Sequence, residues 1–92
     1  MKKFEILAET KIHDGREVHR IRALRDIPLQ CVRAGDLGGW IERAENLSQE
    51  AECWIGRKAV VCGSAVVSGA ARVSGSAVVS GEAVVCGEAR VG

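Results

Sequence analysis

The second half of the chain repeats a six-residue pattern of hydrophobic and small residues. From Val61 onward it reads VCGSAV, VSGAAR, VSGSAV, VSGEAV, VCGEAR and VG, so that each unit has the form Val-x-Gly-x-Ala-x. A period of six does not match the 3.6 residues of a helical turn, and a glycine inside a helix costs about 1 kcal/mol relative to alanine. The pattern therefore predicts short β-strands joined by glycine corners, with the valine and alanine of each unit on the inward side.

The N-terminal third follows a different pattern. Residues 4–12 and 17–24 flank the segment His13-Asp14-Gly15-Arg16, and Asp-Gly is a strong signal for a tight hairpin turn. These segments predict an antiparallel β-hairpin. The segment GDLGG at 35–39 lacks the lysine and the spacing of a phosphate-binding loop, and it is interpreted as a turn. We expect one domain over 1–92, with the hairpin and a cap in 1–46 and the repeat in 47–92.

The hexapeptide units resemble those of left-handed parallel β-helices, in which three units complete one coil. The upstream segments REVHRIRALRDI (16–27), GDLGGWI (35–41) and NLSQEAECWI (46–55) look like the lead-in of small hexapeptide-repeat proteins of bacteriophages and prophages, which are often labelled transferases. The resemblance covers nearly the whole chain. It implies an all-β fold: a short left-handed parallel β-helix of about two to three coils after an N-terminal β-hairpin and cap. The left hand is implied by the resemblance alone.

If three units form a coil, residues 18 positions apart stack on neighbouring coils. Arg72 and Arg90 have this spacing, and they predict either solvated surface charges or a stripe that binds carboxylates of a partner. Including two arginines of the hairpin, the candidate partner-binding residues are Arg72, Arg90, Arg20 and Arg22.

Outward-facing valines also recur at the coil period and leave more apolar surface than a small monomer usually exposes. They predict a homo-oligomer, either a dimer formed by stacking of coil ends or a trimer formed by lateral packing. Trp40 and Trp54 are expected to plug the N-terminal end of the coils as part of a cap or core, with an exposed contact surface as the alternative. The candidate oligomer-interface residues are Val60, Val66, Val78, Val84 and Val91.

Composition narrows the possible partners. Thirteen Lys and Arg against 12 Asp and Glu give a net charge of +1, which disfavours binding to nucleic acid. No apolar run approaches the roughly 20 residues of a membrane span, and the charged N-terminus does not resemble a signal peptide. We therefore expect a cytoplasmic protein, in a bacterial host if the phage resemblance holds. The four cysteines form no CxxC pair, which favours reduced thiols over a zinc site or a disulfide.

Candidate chemistry is sparse. Hexapeptide acyltransferases resemble one another in using a histidine base, but no histidine follows His19, so no catalytic, cofactor-binding or metal-binding residue is assigned. We expect a non-enzymatic protein-binding module with a bacterial host protein as its partner, and the phage resemblance implies inhibition of a defence complex in the manner of an anti-CRISPR protein. The alternatives are an acyltransferase-like protein that binds acyl-CoA, and a sponge for a signalling nucleotide.

Overall fold

The computed structural model describes residues 2–92, which form ten β-strands and no α-helix. Two short 3-10 turns, Pro28–Gln30 and Ala44–Asn46, lie between strands. The expected all-β class is therefore confirmed. The strands are β1 Phe4–His13, β2 Arg16–Ala23, β3 Leu37–Ile41, β4 Trp54–Ile55, β5 Val60–Val61, β6 Val66–Val67, β7 Arg72–Val73, β8 Val78–Val79, β9 Val84–Val85 and β10 Arg90–Val91.

The predicted N-terminal hairpin is confirmed. Strands β1 and β2 pair antiparallel, and the turn residues Asp14 and Gly15 both have positive φ, 52° and 78°. A two-residue turn of this kind matches the twist of the flanking strands, and Asp-Gly is suited to it because both residues tolerate the left-handed conformation. Strand β2 continues the sheet by pairing antiparallel with β3.

The segment that contains Gly38 and Gly39 is a strand, so the interpretation of GDLGG as a turn is wrong for its last three residues. Both glycines are buried in β3. A Cβ atom on Gly39 would lie 2.5 Å from the carbonyl oxygen of Ala59, and one on Gly38 would lie 2.6 Å from Cζ2 of Trp54. These glycines allow close packing of neighbouring segments, a role that sequence alone does not distinguish from a turn.

The repeat forms three parallel ladders of short strands. The first ladder contains β3, β5 and β8; the second contains β6 and β9, with Leu47 bridged to Val67; the third contains β4, β7 and β10. The chain visits the three ladders in turn, and each round is called a tier. The first tier spans residues 40–55, the second 60–73 and the third 78–91. Residues of the second and third tiers pair at the predicted spacing of 18 positions, as in Val60 with Val78 and Arg72 with Arg90.

The first tier lies upstream of the clear hexapeptide units, and the expected division after residue 46 falls inside it. Trp40 pairs with Val60 and Leu47 with Val67, both 20 positions apart, whereas the third ladder keeps the spacing of 18. The N-terminal half therefore extends the repeat by one tier, which supplies part of the core that two tiers alone would lack.

One hydrophobic core runs through the tiers. Its inward side chains are Ile41, Leu47 and Ile55 in the first tier, and Val61, Val67 and Val73 in the second, all nearly inaccessible to solvent. The same cluster contains Phe4, Ile27 and Val32 from segments outside the tiers, and these cover the N-terminal end. Both tryptophans are buried. Trp54 belongs to this core cluster, whereas Trp40 packs in a separate cluster with Val18, Val60 and Cys62, so only Trp54 shares the core with the residues at the N-terminal end.

Candidate protein-interaction surfaces

Two of the four candidate partner-binding arginines are engaged within the chain. The Nη1 atom of Arg20 donates to the carbonyl oxygens of Gly38 at 2.8 Å and Arg57 at 3.1 Å, and its guanidinium carbon lies 4.2 Å from the ring centroid of Trp40. Arg22 donates from Nε to Oε2 of Glu5 at 2.7 Å. The Arg22 contact joins the two strands of the hairpin, and the Arg20 contacts join the hairpin to the first ladder. Of the four candidate arginines, Arg72 and Arg90 of the repeat therefore remain available for a partner.

Arg72 and Arg90 form a column on the third ladder, directly above Trp54. The register pairs Trp54 with Arg72 and Arg72 with Arg90, so the three side chains share the outward face. Arg72 is half-buried and Arg90 is exposed. Within residues 2–92 neither guanidinium lies within 4.0 Å of a carboxylate, although four other basic side chains do. We call this pair the arginine column.

Two shallow cavities adjoin the arginine column. A cavity of about 330 Å³ lies beside Arg72 and Trp54, and one of about 230 Å³ lies beside Arg90. Gln30 belongs to both walls, and its Nε2 atom donates to the carbonyl oxygens of Glu52 at 3.0 Å and Ala70 at 3.3 Å. The Gln30 side chain is therefore fixed in the wall that the two cavities share. Their charged lining residues are Asp36, Arg57, Arg72, Glu88 and Arg90.

The candidate interface valines do not share one environment. Val60 is only 2% exposed because Val18 of the hairpin, together with Trp40 and Cys62, packs over it. Its assignment to an oligomer interface is therefore wrong for the folded chain, since the hairpin already covers this part of the first ladder. Val78 and Val84 are 47% and 64% exposed, while Val66 and Val91 are partly buried.

Three polar side chains that sequence reasoning missed connect the N-terminal half to the repeat. Glu42 accepts a hydrogen bond from the Gly63 amide at 2.6 Å and one from Nη1 of Arg16 at 3.0 Å. The Gly63 amide and the Arg16 guanidinium hold the pKa of Glu42 below its ordinary value. The other two are Lys3 and Asn46, both fully buried.

Lys3 is buried against the loop that precedes β4. Its Nζ atom donates to the Cys53 carbonyl oxygen at 2.7 Å, to Cys53 Sγ at 3.0 Å and to the Glu50 carbonyl oxygen at 3.4 Å. Burial lowers the pKa of the Lys3 amine. A lysine two residues from the start of a chain gives no sequence signal of burial, because only the folded chain brings it to these carbonyls.

The cysteines and histidines are dispersed. Cys53 and Cys62 are buried, Cys31 and Cys86 are exposed, and all four are free thiols. Burial raises the pKa of the Cys62 thiol. His13 and His19 lie in the hairpin, and neither lines the two cavities beside the arginine column. Residues 2–92 contain no group of three His, Cys, Asp or Glu side chains placed to hold a metal ion.

Comparison with other proteins gives no family assignment. No protein-family model and no curated protein matches this chain. None of the helical segments in residues 2–92 has the length and apolar character needed to cross a membrane. The arginine column and the exposed parts of the third tier are thus the surfaces from which a function can be inferred.

Proposed function

We propose that this protein is a non-enzymatic, oligomeric protein-binding module built on a left-handed parallel β-helix. Three parallel ladders, the 18-residue register and the corner glycines support this architecture, because five successive units place a glycine at φ between 62° and 68°. Each tier is then one coil of the helix. The left hand rests on the resemblance of the hexapeptide units to proteins of that fold.

The observation that carries protein binding is the arginine column, in which neither guanidinium has a carboxylate within 4.0 Å among residues 2–92. Adjacent strands of a sheet lie about 4.8 Å apart, so stacked guanidinium groups repel one another. A partner that brings one or two carboxylates to the column would offset this repulsion and form charge-assisted, forked hydrogen bonds. The flanking cavities give such a partner room to approach Trp54 and Arg72.

The partner class follows from this chemistry. We propose a bacterial host protein that presents an acidic segment, bound in the cytoplasm. The resemblance of the sequence to small phage proteins supports inhibition of a bacterial defence complex as the biological role. With a net charge of +1 for the whole chain, attraction to such a partner is local to the arginine column and does not come from the molecule as a whole.

A charge-reversal pair tests this proposal. Arg72→Glu/Arg90→Glu should weaken binding to a partner captured from bacterial lysate, identified by mass spectrometry and then purified, by about tenfold or more. Arg33→Glu/Lys58→Glu is the matched control, since it makes the same change in net charge at two exposed residues that line neither cavity beside the column. Equal affinity of the two double variants would contradict the proposal. Binding of acetyl-CoA at micromolar affinity, measured by calorimetry, would contradict the non-enzymatic role.

A further inference from the structure

The third tier ends in an unpaired backbone edge. Amides of the second tier donate to carbonyl oxygens of the third, for example Val60 to Ala77 at 3.0 Å and Arg72 to Ala89 at 2.9 Å. The amides 18 positions later point away from the second tier and have no acceptor within residues 2–92. The unpaired amides are those of Val78, Ser80, Glu82, Val84, Cys86, Glu88, Arg90 and Gly92.

The core is open at the same end. Ala65 in the second tier is 1% exposed, but Ala83, its counterpart in the third tier, is exposed. Ala71 and Ala89 differ in the same way. The inward alanines therefore reach solvent at the third tier, although the inward valines Val79 and Val85 remain buried. An edge that combines free amides with exposed core residues is a template for further strand pairing.

The opposite end does not offer a complementary edge. Phe4, Ile27 and Val32 belong to the same buried cluster as the first tier, and β2 pairs with β3, so that the hairpin occupies the edge that the first ladder would otherwise leave open. Head-to-tail stacking of two molecules would therefore bring the open edge against a closed surface. The same edge of a second copy, in contrast, matches the open edge in outline and in its pattern of hydrogen-bond donors and acceptors.

We propose that two copies pair through their third tiers around a two-fold axis perpendicular to the long axis of the repeat. The rotation makes facing strands antiparallel. The third-tier strand of one ladder then pairs with the same strand of the second copy, and the strands of the other two ladders pair with one another between the copies. Free amides of one copy then meet free carbonyl oxygens of the other, such as those of Val78 and Val84. Ala83, Ala89 and Val91 become buried, and the arrangement closes as a dimer.

This pairing specifies the oligomeric part of the proposed function and is independent of the arginine column. Its test needs no partner protein, so its failure leaves the binding of an acidic partner unaffected. Conversely, loss of partner binding in the arginine variants leaves the end-to-end pairing unaffected.

The oligomeric state of the 92-residue chain tests the pairing directly. Light scattering coupled to size exclusion should give a dimer for the wild type and a folded monomer for Ala83→Lys/Ala89→Lys, since these side chains are exposed in one copy and buried in the pair. Val66→Lys is the control for the single variant Val91→Lys: it also adds one charge, but on the outward face one tier away from the edge, and it should remain a dimer. Val91→Lys should dissociate the dimer independently.

Hydrogen exchange provides a second measurement on the same samples. In the wild-type dimer, the amides of Val78, Val84 and Arg90 should exchange about tenfold or more slowly than in the double lysine variant. Three results would overturn the pairing: a monomeric wild type at millimolar concentration, a trimer, or dissociation by Val66→Lys with no effect of the two alanine substitutions. The last two would indicate lateral packing.

Discussion

Asn46 donates a hydrogen bond of 2.8 Å from Nδ2 to the carbonyl oxygen of Ala65, which ties the irregular first tier to the regular second tier. The same nitrogen donates to the Gly63 carbonyl oxygen at 3.2 Å. Its Oδ1 atom accepts from the amides of Glu42 at 2.9 Å and Arg43 at 2.8 Å. The buried side-chain amide of Asn46 therefore has hydrogen-bond partners for both its oxygen and its nitrogen.

Asn46→Leu should lower the free energy of unfolding by about 2–4 kcal/mol, because it leaves buried amides and carbonyls without partners. Asn46→Asp keeps the two acceptor contacts and loses the two donor contacts, so its effect should also be large. Urea unfolding followed by circular dichroism measures both changes. Glu45→Gln, at the exposed neighbouring position, is the control. A loss below about 1 kcal/mol for Asn46→Leu would contradict the role given to this side chain.

The Glu42 carboxylate makes stability depend on pH. Its pKa is lower in the folded protein than the ordinary value of 4.5, because the Gly63 amide and Arg16 favour the charged form. The folded state therefore gains stability from Glu42 above the ordinary pKa and loses this contribution as the pH falls through the lowered pKa. The stability difference between wild type and Glu42→Gln should stay nearly constant between about pH 7 and pH 5, and it should shrink between about pH 5 and pH 3. A difference that stays constant over this interval would exclude a charge-based contribution.

Val60 and Val78 occupy equivalent positions of the first ladder but should respond differently to the same substitution. Val60→Lys places a charge under the hairpin, beside Trp40 and Val18, and should cost about 3 kcal/mol or more. Val78→Lys lies on the exposed face and should change the stability of one chain by less than about 0.5 kcal/mol. Thermal unfolding of the two variants side by side measures the contrast. Similar melting temperatures would mean that the hairpin does not cover the ladder in solution.

Gly39→Ala should destabilise the protein through steric overlap alone. The added Cβ would press on the backbone carbonyl oxygen of Ala59, which cannot move without separating β3 from β5. Gly38→Ala presses on the side chains of Trp54 and Ile21, which have more freedom to adjust. We expect losses of about 1–3 kcal/mol, with Gly39→Ala the larger, in denaturant unfolding. An unchanged midpoint for Gly39→Ala would show that the two strands are not in close contact.

The regular part of the fold is predictable because the six-residue period of the sequence determines which residues of neighbouring tiers pair. Each valine and alanine of a unit marks an inward position. The resemblance to hexapeptide repeats implies three units per coil, and this spacing of 18 residues correctly predicts the pairing of Arg72 with Arg90 and of Val66 with Val84. The hairpin is predictable for a local reason as well, since Asp14 and Gly15 suit the only positions that require positive φ in the turn.

The remaining features depend on contacts between distant segments. Nothing in the spacing of Trp40 and Leu47 indicates that they pair 20 residues ahead with the repeat. The sequence identifies Val60 as an outward residue but does not show that Val18 packs against it. It also does not indicate that Arg20 donates hydrogen bonds to the carbonyl oxygens of Gly38 and Arg57. Such contacts are decided by how the hairpin folds back on the first ladder.

The 18-residue register also has a consequence for how the molecule can change in size. Each tier contacts only its neighbours, so a duplication of residues 61–78 would add one interior layer without altering the hairpin or the terminal edge. The distance between those two ends would increase by about 4.8 Å for every such insertion. Insertion of 18-residue units would therefore lengthen the molecule in fixed steps, and the residues exposed at each end would stay the same.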